Sequence, residues 1–166
     1  NKFQLAIENL NTALKIDPNS RSTKHLLANI HNSMNQWPIS ENLYKELIKS
    51  DKMDAQALNN YSYTLAERGL KLKEALNMSQ RAIELDPDNS AYLDTIGWIF
   101  YKLKKYNKAI DYIEKSISLD PNNIVVLEHL GDAYMKINRT EEAKFYYNKI
   151  LDLDENNSRI LNKINR

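Results

Sequence analysis

The stretch LDPDNSAYLDTIGWIFYKLKKYNKAIDYIEKSISLDPNN, Leu85 to Asn123, opens and closes on nearly the same phrase. Its prolines, Pro87 and Pro121, lie 34 residues apart. Between them Leu93, Ile96 and Phe100 stand at i, i+3 and i+7, one stripe of a helix. Asp94, Trp98 and Tyr101 share a second face of the same helix, offset from that stripe. The first set reads as core. The second needs its own explanation.

Working outward, Asp17-Pro18-Asn19, Asp86-Pro87-Asp88 and Asp120-Pro121-Asn122 recur, with a degenerate copy at Asp154-Glu155-Asn156. Pro18 and Pro87 lie 69 residues apart, two periods with one residue added. The extra residue falls in the Gly69-Leu70-Lys71-Leu72 connection, which predicts a longer turn there. Aligned on the prolines, Leu93, Ile96, Gly97, Phe100, Ala109 and Ile113 match Leu127, Leu130, Gly131, Tyr134, Ala143 and Tyr147. The preceding copy reads Leu58, Tyr61, Ser62, Leu65, Ala75 and Ser79. A period of this length indicates stacked helix pairs that share one continuous core.

The residue types fit that architecture. Gly97 and Gly131, with Ala28 and Ser62 in the same register, are small enough for two helices to approach closely. Proline after Leu-Asp ends the second helix, because its ring and missing N–H cannot continue the ladder. Asn89 or Ser90, and Asn123, are candidate N-caps, and Thr140 with Glu141 and Glu142 is expected to start a helix in the same way. The copy opening at Arg21 is degenerate, with Lys24, His31 and Lys52 at apolar, aromatic and proline positions. Trp37-Pro38 compensates in part, its proline in a helix's first turn.

Composition narrows the function classes. The chain has 166 residues, 42% apolar and 27% charged, with only 3 Gly and 4 Pro, which favours an ordered helical fold. Its 23 basic and 22 acidic residues nearly cancel, so no nucleic-acid partner and no anionic membrane surface is expected. No apolar run is long enough for direct membrane insertion. Cysteine is absent, which removes disulfides and thiolate chemistry.

On these motifs the chain resembles the tetratricopeptide-repeat (TPR) family along essentially its whole length. The resemblance implies an all-α, right-handed superhelical solenoid of antiparallel helix pairs. The expected divisions are 1–20, the second helix of a partial repeat; 21–54, a degenerate repeat; 55–89, a repeat with one inserted residue; 90–123 and 124–157, regular repeats; and 158–166, the start of a further or capping helix. Each end is expected to expose a face built for stacking. The runs Ala57-Leu58-Asn59-Asn60-Tyr61, Tyr92 to Trp98 and Leu127 to Asp132 are similar to TPR proteins common in bacterial genomes, many of them attached to the cell envelope. An envelope setting is the expectation and cytoplasm the alternative.

The resemblance also assigns a concave groove to the first helices. Its expected positions are Ser22, His25, Asn29, Asn32 and Ser33; Gln56, Asn59, Tyr63, Ala66 and Glu67; Ala91, Asp94, Trp98, Tyr101 and Lys102; and Val125, Glu128, Asp132, Met135 and Lys136. The partner-binding residues expected there are Asn59, Tyr63, Glu67, Asp94, Trp98, Tyr101, Lys102, Glu128, Asp132 and Met135. Aromatic plates ringed by carboxylates suit a peptide or partner helix bearing Lys or Arg. The competing assignment makes Trp98 and Tyr63 filler between neighbouring first helices.

A clamp for a terminal carboxylate lacks its cations, since the matching positions hold His25, Asn59, Asp94 and Glu128. Glu128, Asp132 and His129 do not make a convincing metal set, because His129 is expected to project off the acidic face. Asp94 and Glu128 lack the pocket a glycosidase pair requires. The expectation is a non-catalytic protein-interaction scaffold with no cofactor and no metal. Its alternatives are a docking or regulatory segment of a larger enzyme, and a module that self-associates through its repeat ends.

Overall fold

The computed structural model describes residues 2–164; Asn1 and residues 165 and 166, which the expected end segments include, lie outside the described residues. Ten helices follow one another: α1 (Lys2–Ile16), α2 (Arg21–Ser33), α3 (Trp37–Ser50), α4 (Ala55–Glu67), α5 (Leu72–Leu85), α6 (Ser90–Lys102), α7 (Tyr106–Leu119), α8 (Ile124–Lys136), α9 (Thr140–Leu153) and α10 (Ser158–Ile164). No strand occurs among the described residues. The architecture is an all-α right-handed solenoid of antiparallel pairs. The most extensive packing joins α2 to α3, α4 to α5, α6 to α7, and α8 to α9.

Local chemistry sets the boundaries. Asp86, Asp120 and Asp154 leave the helix while their N–H groups still bond Ala82, Ser116 and Ile150 carbonyls. Three residues on, Asn89, Asn123 and Asn157 each accept an N–H of the next helix, from Tyr92, Val126 and Ile160. The same asparagines donate Nδ2 back to Asp86, Asp120 and Asp154 at 2.9–3.0 Å. The Asp-to-Asn spacing is therefore a two-ended clamp on the turn between repeats. Ser90 is already helical, so Asn89 is the cap. Thr140 is likewise the first residue inside α9, not its cap; Arg139 precedes it and pairs with Glu142.

Within a pair, each turn passes through a left-handed residue: Asn35, Gly69, Lys104 or Asn138. The following N–H then bonds a carbonyl five residues back, as in Lys105 to Phe100 at 2.9 Å and Arg139 to Tyr134 at 3.0 Å. The turn from α4 to α5 is one residue longer and holds a second left-handed residue, Lys71.

Helix pairs meet closely at the small residues. A Cβ on Gly131 would overlap the Tyr147 ring, and one on Gly97 would lie 2.5 Å from Ile113 Cγ1. In the α4/α5 pair the corresponding positions are Ser62 and Ser79, both fully buried, and the Ser79 hydroxyl finds no partner among the described residues. The apolar core is continuous but has two centres. One includes Tyr44, Leu47, Tyr61, Leu65 and Trp98; the other includes Ile96, Ile113, Leu127, Leu130 and Ile150.

The direction of curvature follows from which helices touch. The backbones of the first helices approach one another closely (α2 with α4, α4 with α6, α6 with α8), whereas no two second helices come as close among the described residues. The stack is tighter on the first-helix side and bends around it. That side is the concave wall.

Candidate partner-binding groove

Polar side chains tie each first helix to the next across this wall. Trp98 Nε1 on α6 donates to Glu67 on α4, 31 residues away, at 2.5 Å. Asn60 Nδ2 on α4 donates to Asn29 Oδ1 on α2, also 31 residues away, at 3.2 Å. Lys163 on α10 reaches Asp132 on α8 with the same offset, at 2.5 Å. His129 Nδ1 on α8 lies 2.9 Å from Asp94 Oδ1 on α6. Thr64 Oγ1 lies 3.0 Å from Asn32 Oδ1. The rungs share one cause: a period of about 34 residues places side chains about one repeat apart, within a helical turn of register, in reach of each other.

These rungs change the reading of the aromatic and acidic half. Trp98 is only 8% exposed. Its indole stacks with Tyr101 (ring centroids 4.5 Å apart) and with His129 (3.9 Å), and Lys102 Nζ lies 4.6 Å over it. The indole thus fills the space between α4, α6 and α8, the role of filler rather than exposed plate. His129, expected to project away from the acidic face, turns inward to Asp94 and Trp98. Glu128, expected on a solvated face, is buried under ion pairs with Arg159 and Lys163. Asp132 accepts from Lys163 and from the Tyr147 hydroxyl, the latter at 2.7 Å. Burial, followed by the bond to Asp132, pushes the Tyr147 phenol above its ordinary range. Burial and the nearby Asp132 and Tyr106 push Tyr101 up to about 12. Both remain neutral at ordinary pH.

The two cations from α10 were not part of the expected groove, although their spacing from Glu128 and Asp132 repeats that of Trp98 from Glu67. With them in place, the carboxylates that suggested a basic partner already have counter-charges. Met135 and Glu67 are among the less buried groove positions, and Glu67 also lies 3.9 Å from Lys102 Nζ. Ala66, expected to face the groove, is fully buried. Lys136 is exposed.

The open part of the wall lies elsewhere. A cavity of about 430 Å³ runs over α2, α4 and α6 to the start of α8. Its lining includes Asn29, Asn32 and Ser33 from α2, Asn59, Asn60 and Tyr63 from α4, Ala91, Asp94 and Thr95 from α6, and Val125 and Val126 from α8. Of the partner-binding residues expected from sequence, it gathers Asn59, Tyr63 and Asp94 and leaves the other seven outside. Tyr44 enters from α3 and donates its hydroxyl to Asn29 Oδ1 at 2.8 Å. Neither Tyr44 nor Asn60 was expected there. Burial, then the charges of Glu67 and Asp94, push the Tyr63 phenol well up, so it stays a neutral hydroxyl.

The degenerate repeat carries one more buried polar cluster. His25 Nε2 lies 2.9 Å from Asp54 Oδ2, and Arg21 pairs with the same carboxylate at 3.0 Å. Asp54 also caps α4 through the Ala57 N–H at 3.0 Å. Burial works against ionisation of Asp54, but the Ala57 N–H, His25 and Arg21 together hold its carboxyl below the usual range. His25 is thereby a buried structural residue and not part of the cavity lining. Among the described residues no group of three or more His, Asp and Glu is placed to hold a metal ion, and no helix is long and apolar enough to cross a membrane.

A curved array of helix pairs with an open inner wall defines a repeat scaffold of the protein-interaction class. The tetratricopeptide repeat is matched over residues 95–123 and again over 125–157. The TPR repeat-containing protein PA4667 of Pseudomonas aeruginosa is 36% identical over 89 residues, 54% of this chain and 15% of that protein. The chain therefore spans a small part of that relative's length. The solved structure of Pseudomonas aeruginosa pilF superposes with a TM-score of 0.79 at 28% identity, over 96% of this chain and 72% of that one. TTC0263, a TPR protein of Thermus thermophilus, superposes with a TM-score of 0.84 at 17% identity, over 98% and 88% of the two chains, and shares the fold. Residues 95–123 and 125–157 are thus tetratricopeptide repeats, and the chain is similar to bacterial proteins built from them.

Proposed function

We propose that this chain is a non-catalytic interaction scaffold that holds a peptide segment of a partner protein in the amide-rich half of its concave groove. The observation that carries the reading is the cavity of about 430 Å³ spanning four first helices, walled by asparagines, Tyr63 and small apolar residues. A wall of that composition offers hydrogen bonds along its length with apolar seats between them, which suits an elongated ligand. The array acts as one unit, with full repeats opening at Arg21, Ala55, Ser90 and Ile124. A partner bearing Lys or Arg at the aromatic end is the less favoured occupant, because Arg159 and Lys163 already neutralise Glu128 and Asp132.

The test is selection of displayed random peptides on this chain, followed by binding measurements on two variants. Ala91→Trp places an indole at an exposed position of the cavity lining. Lys144→Trp places one at an exposed position of α9, outside the cavity lining. Selected peptides should bind Ala91→Trp at least about tenfold more weakly while Lys144→Trp and both melting curves stay near wild type. Equal binding to the two variants rejects the groove.

A further inference from the structure

We infer that a second copy of this chain docks edge to edge, the basic turns within helix pairs facing the acidic turns between pairs. Antiparallel pairing puts every within-pair turn on one edge of the stack and every between-pair turn on the other. The 23 basic and 22 acidic residues nearly cancel over the whole chain, but the fold sorts them unevenly between these edges. Positions 102–108, on the first edge, hold Lys102, Lys104, Lys105 and Lys108 with no acid. On the second edge, positions 84–88 hold Glu84, Asp86 and Asp88, and positions 152–155 hold Asp152, Asp154 and Glu155, with no base.

The fold itself has no use for the lysines that open α7. In α5 and α9 the residue before the helix pairs with the third residue inside it, Lys71 with Glu74 at 3.4 Å and Arg139 with Glu142 at 2.5 Å. In α7 the same two positions are Lys105 and Lys108, like charges at the positive end of the helix dipole. Lys104, Lys105 and Lys108 are exposed and have no carboxylate partner among the described residues. Elsewhere on that edge Glu67, Glu74 and Glu142 are held by Lys102, Lys71 and Arg139, which leaves Glu141. The missing counter-charge stands on the opposite edge. There Glu84, Asp88, Asp152 and Glu155 are exposed, and their side chains make no hydrogen bond or ion pair among the described residues.

The two edges match in spacing as well as in sign. Each carries one turn per repeat, so exposed Lys73, Lys104 and Lys136 recur at the same interval as the acidic turns. No segment fits a row of that interval better than another stack of the same repeats. The contact is head to tail: each copy uses its basic edge on one neighbour and its acidic edge on the next, so pairing extends sideways into rows. Neither the concave wall nor the repeat ends take part. Exposed ion pairs are individually weak and screened by salt, so the rows assemble at low ionic strength and disperse at high.

The experiment is sedimentation of the chain across a concentration series in about 20 mM and about 500 mM salt. Species larger than the monomer should grow with concentration at low salt, and their fraction should fall about tenfold or more at high salt. Lys104→Glu, Lys105→Glu and Lys108→Glu together make both edges acidic and should abolish assembly. Glu84→Lys, Asp88→Lys and Glu155→Lys together reverse the other edge and should do the same, and mixing the two variants should restore it. A strict monomer at low salt overturns the inference, as does assembly that survives high salt or either reversal, or a mixture that stays dispersed. Carbodiimide coupling of isotope-labelled to unlabelled copies of the unaltered chain needs no variant. Links from positions 104–108 of one copy to the acidic turns of the other are expected, and their absence overturns the inference even where a variant folds poorly.

Discussion

The two halves of the concave wall are built from the same repeat and end in opposite states. Around α6, α8 and α10 the large polar side chains are joined to one another: Trp98 to Glu67 and His129, His129 to Asp94, and Lys163 to Glu128 and Asp132. Around α2 and α4 the side chains are shorter, and a cavity stays open between them. Reach accounts for the difference. An indole, an imidazole or a lysine spans the gap between adjacent first helices, whereas an asparagine crosses only where a second polar side chain, Asn60 or Thr64, meets it. Side chains most suggestive of binding are therefore the ones the fold consumes.

The sharpest way to break this comparison is to truncate one residue in each half. Trp98→Ala should lower unfolding stability by about 3–4 kcal/mol, the range of buried aromatic truncations, and denaturant melts will read it directly. Asn32→Ala should lower it by less than about 1 kcal/mol. Equal losses would mean that the halves do not differ in how they support the fold.

Within the closed half, Glu128→Gln removes the charge that holds Arg159 and Lys163. The expected loss is about 1–2 kcal/mol, because one partner is mostly exposed and the other partly so. Hydrogen exchange should place it in α10 and leave α2 to α4 unchanged. Behind the open half, on α5, Ser79→Ala removes a buried hydroxyl that has no partner among the described residues. It should leave stability unchanged or raise it by up to about 1 kcal/mol in the same melts.

The smallest expected effect separates the halves by pH. The folded Asp54 carboxyl lies below its ordinary value of about 3.9, so its contribution is complete above that pH and declines as pH falls through the lower folded value. Acidification below about pH 4 should speed exchange in α2. Asp54→Asn should abolish that pH dependence, and persistence of it in the variant would assign it to another group.

The fold was legible because each repeat carries its own punctuation. Pro87, Pro121, Asn89 and Asn123 act on their immediate neighbours, and the Leu93, Ile96 and Phe100 stripe is a property of one helix. The groove was less legible because exposure on that wall depends on the side chain one repeat away. Helical spacing placed Asp94, Trp98 and Tyr101 on a common face, and the spacing was sound. It could not show that His129 would cover that face from α8, or that α10 would bring two cations to Glu128. Comparing positions at an offset of 31 residues, as in Trp98 with Glu67 or Lys163 with Asp132, is the sequence test that would have revealed the rungs.

The rungs also give the array a mechanical character. They lie on the inside of the curve and join consecutive first helices, while the backbones of the second helices on the outside stay farther from one another among the described residues. Tightening the coil would press together side chains already in contact. Uncoiling it would load those rungs, together with the packing of each second helix on the next first helix. The inner wall thus carries the polar cross-links of the array, and lengthening that wall would have to strain or part them.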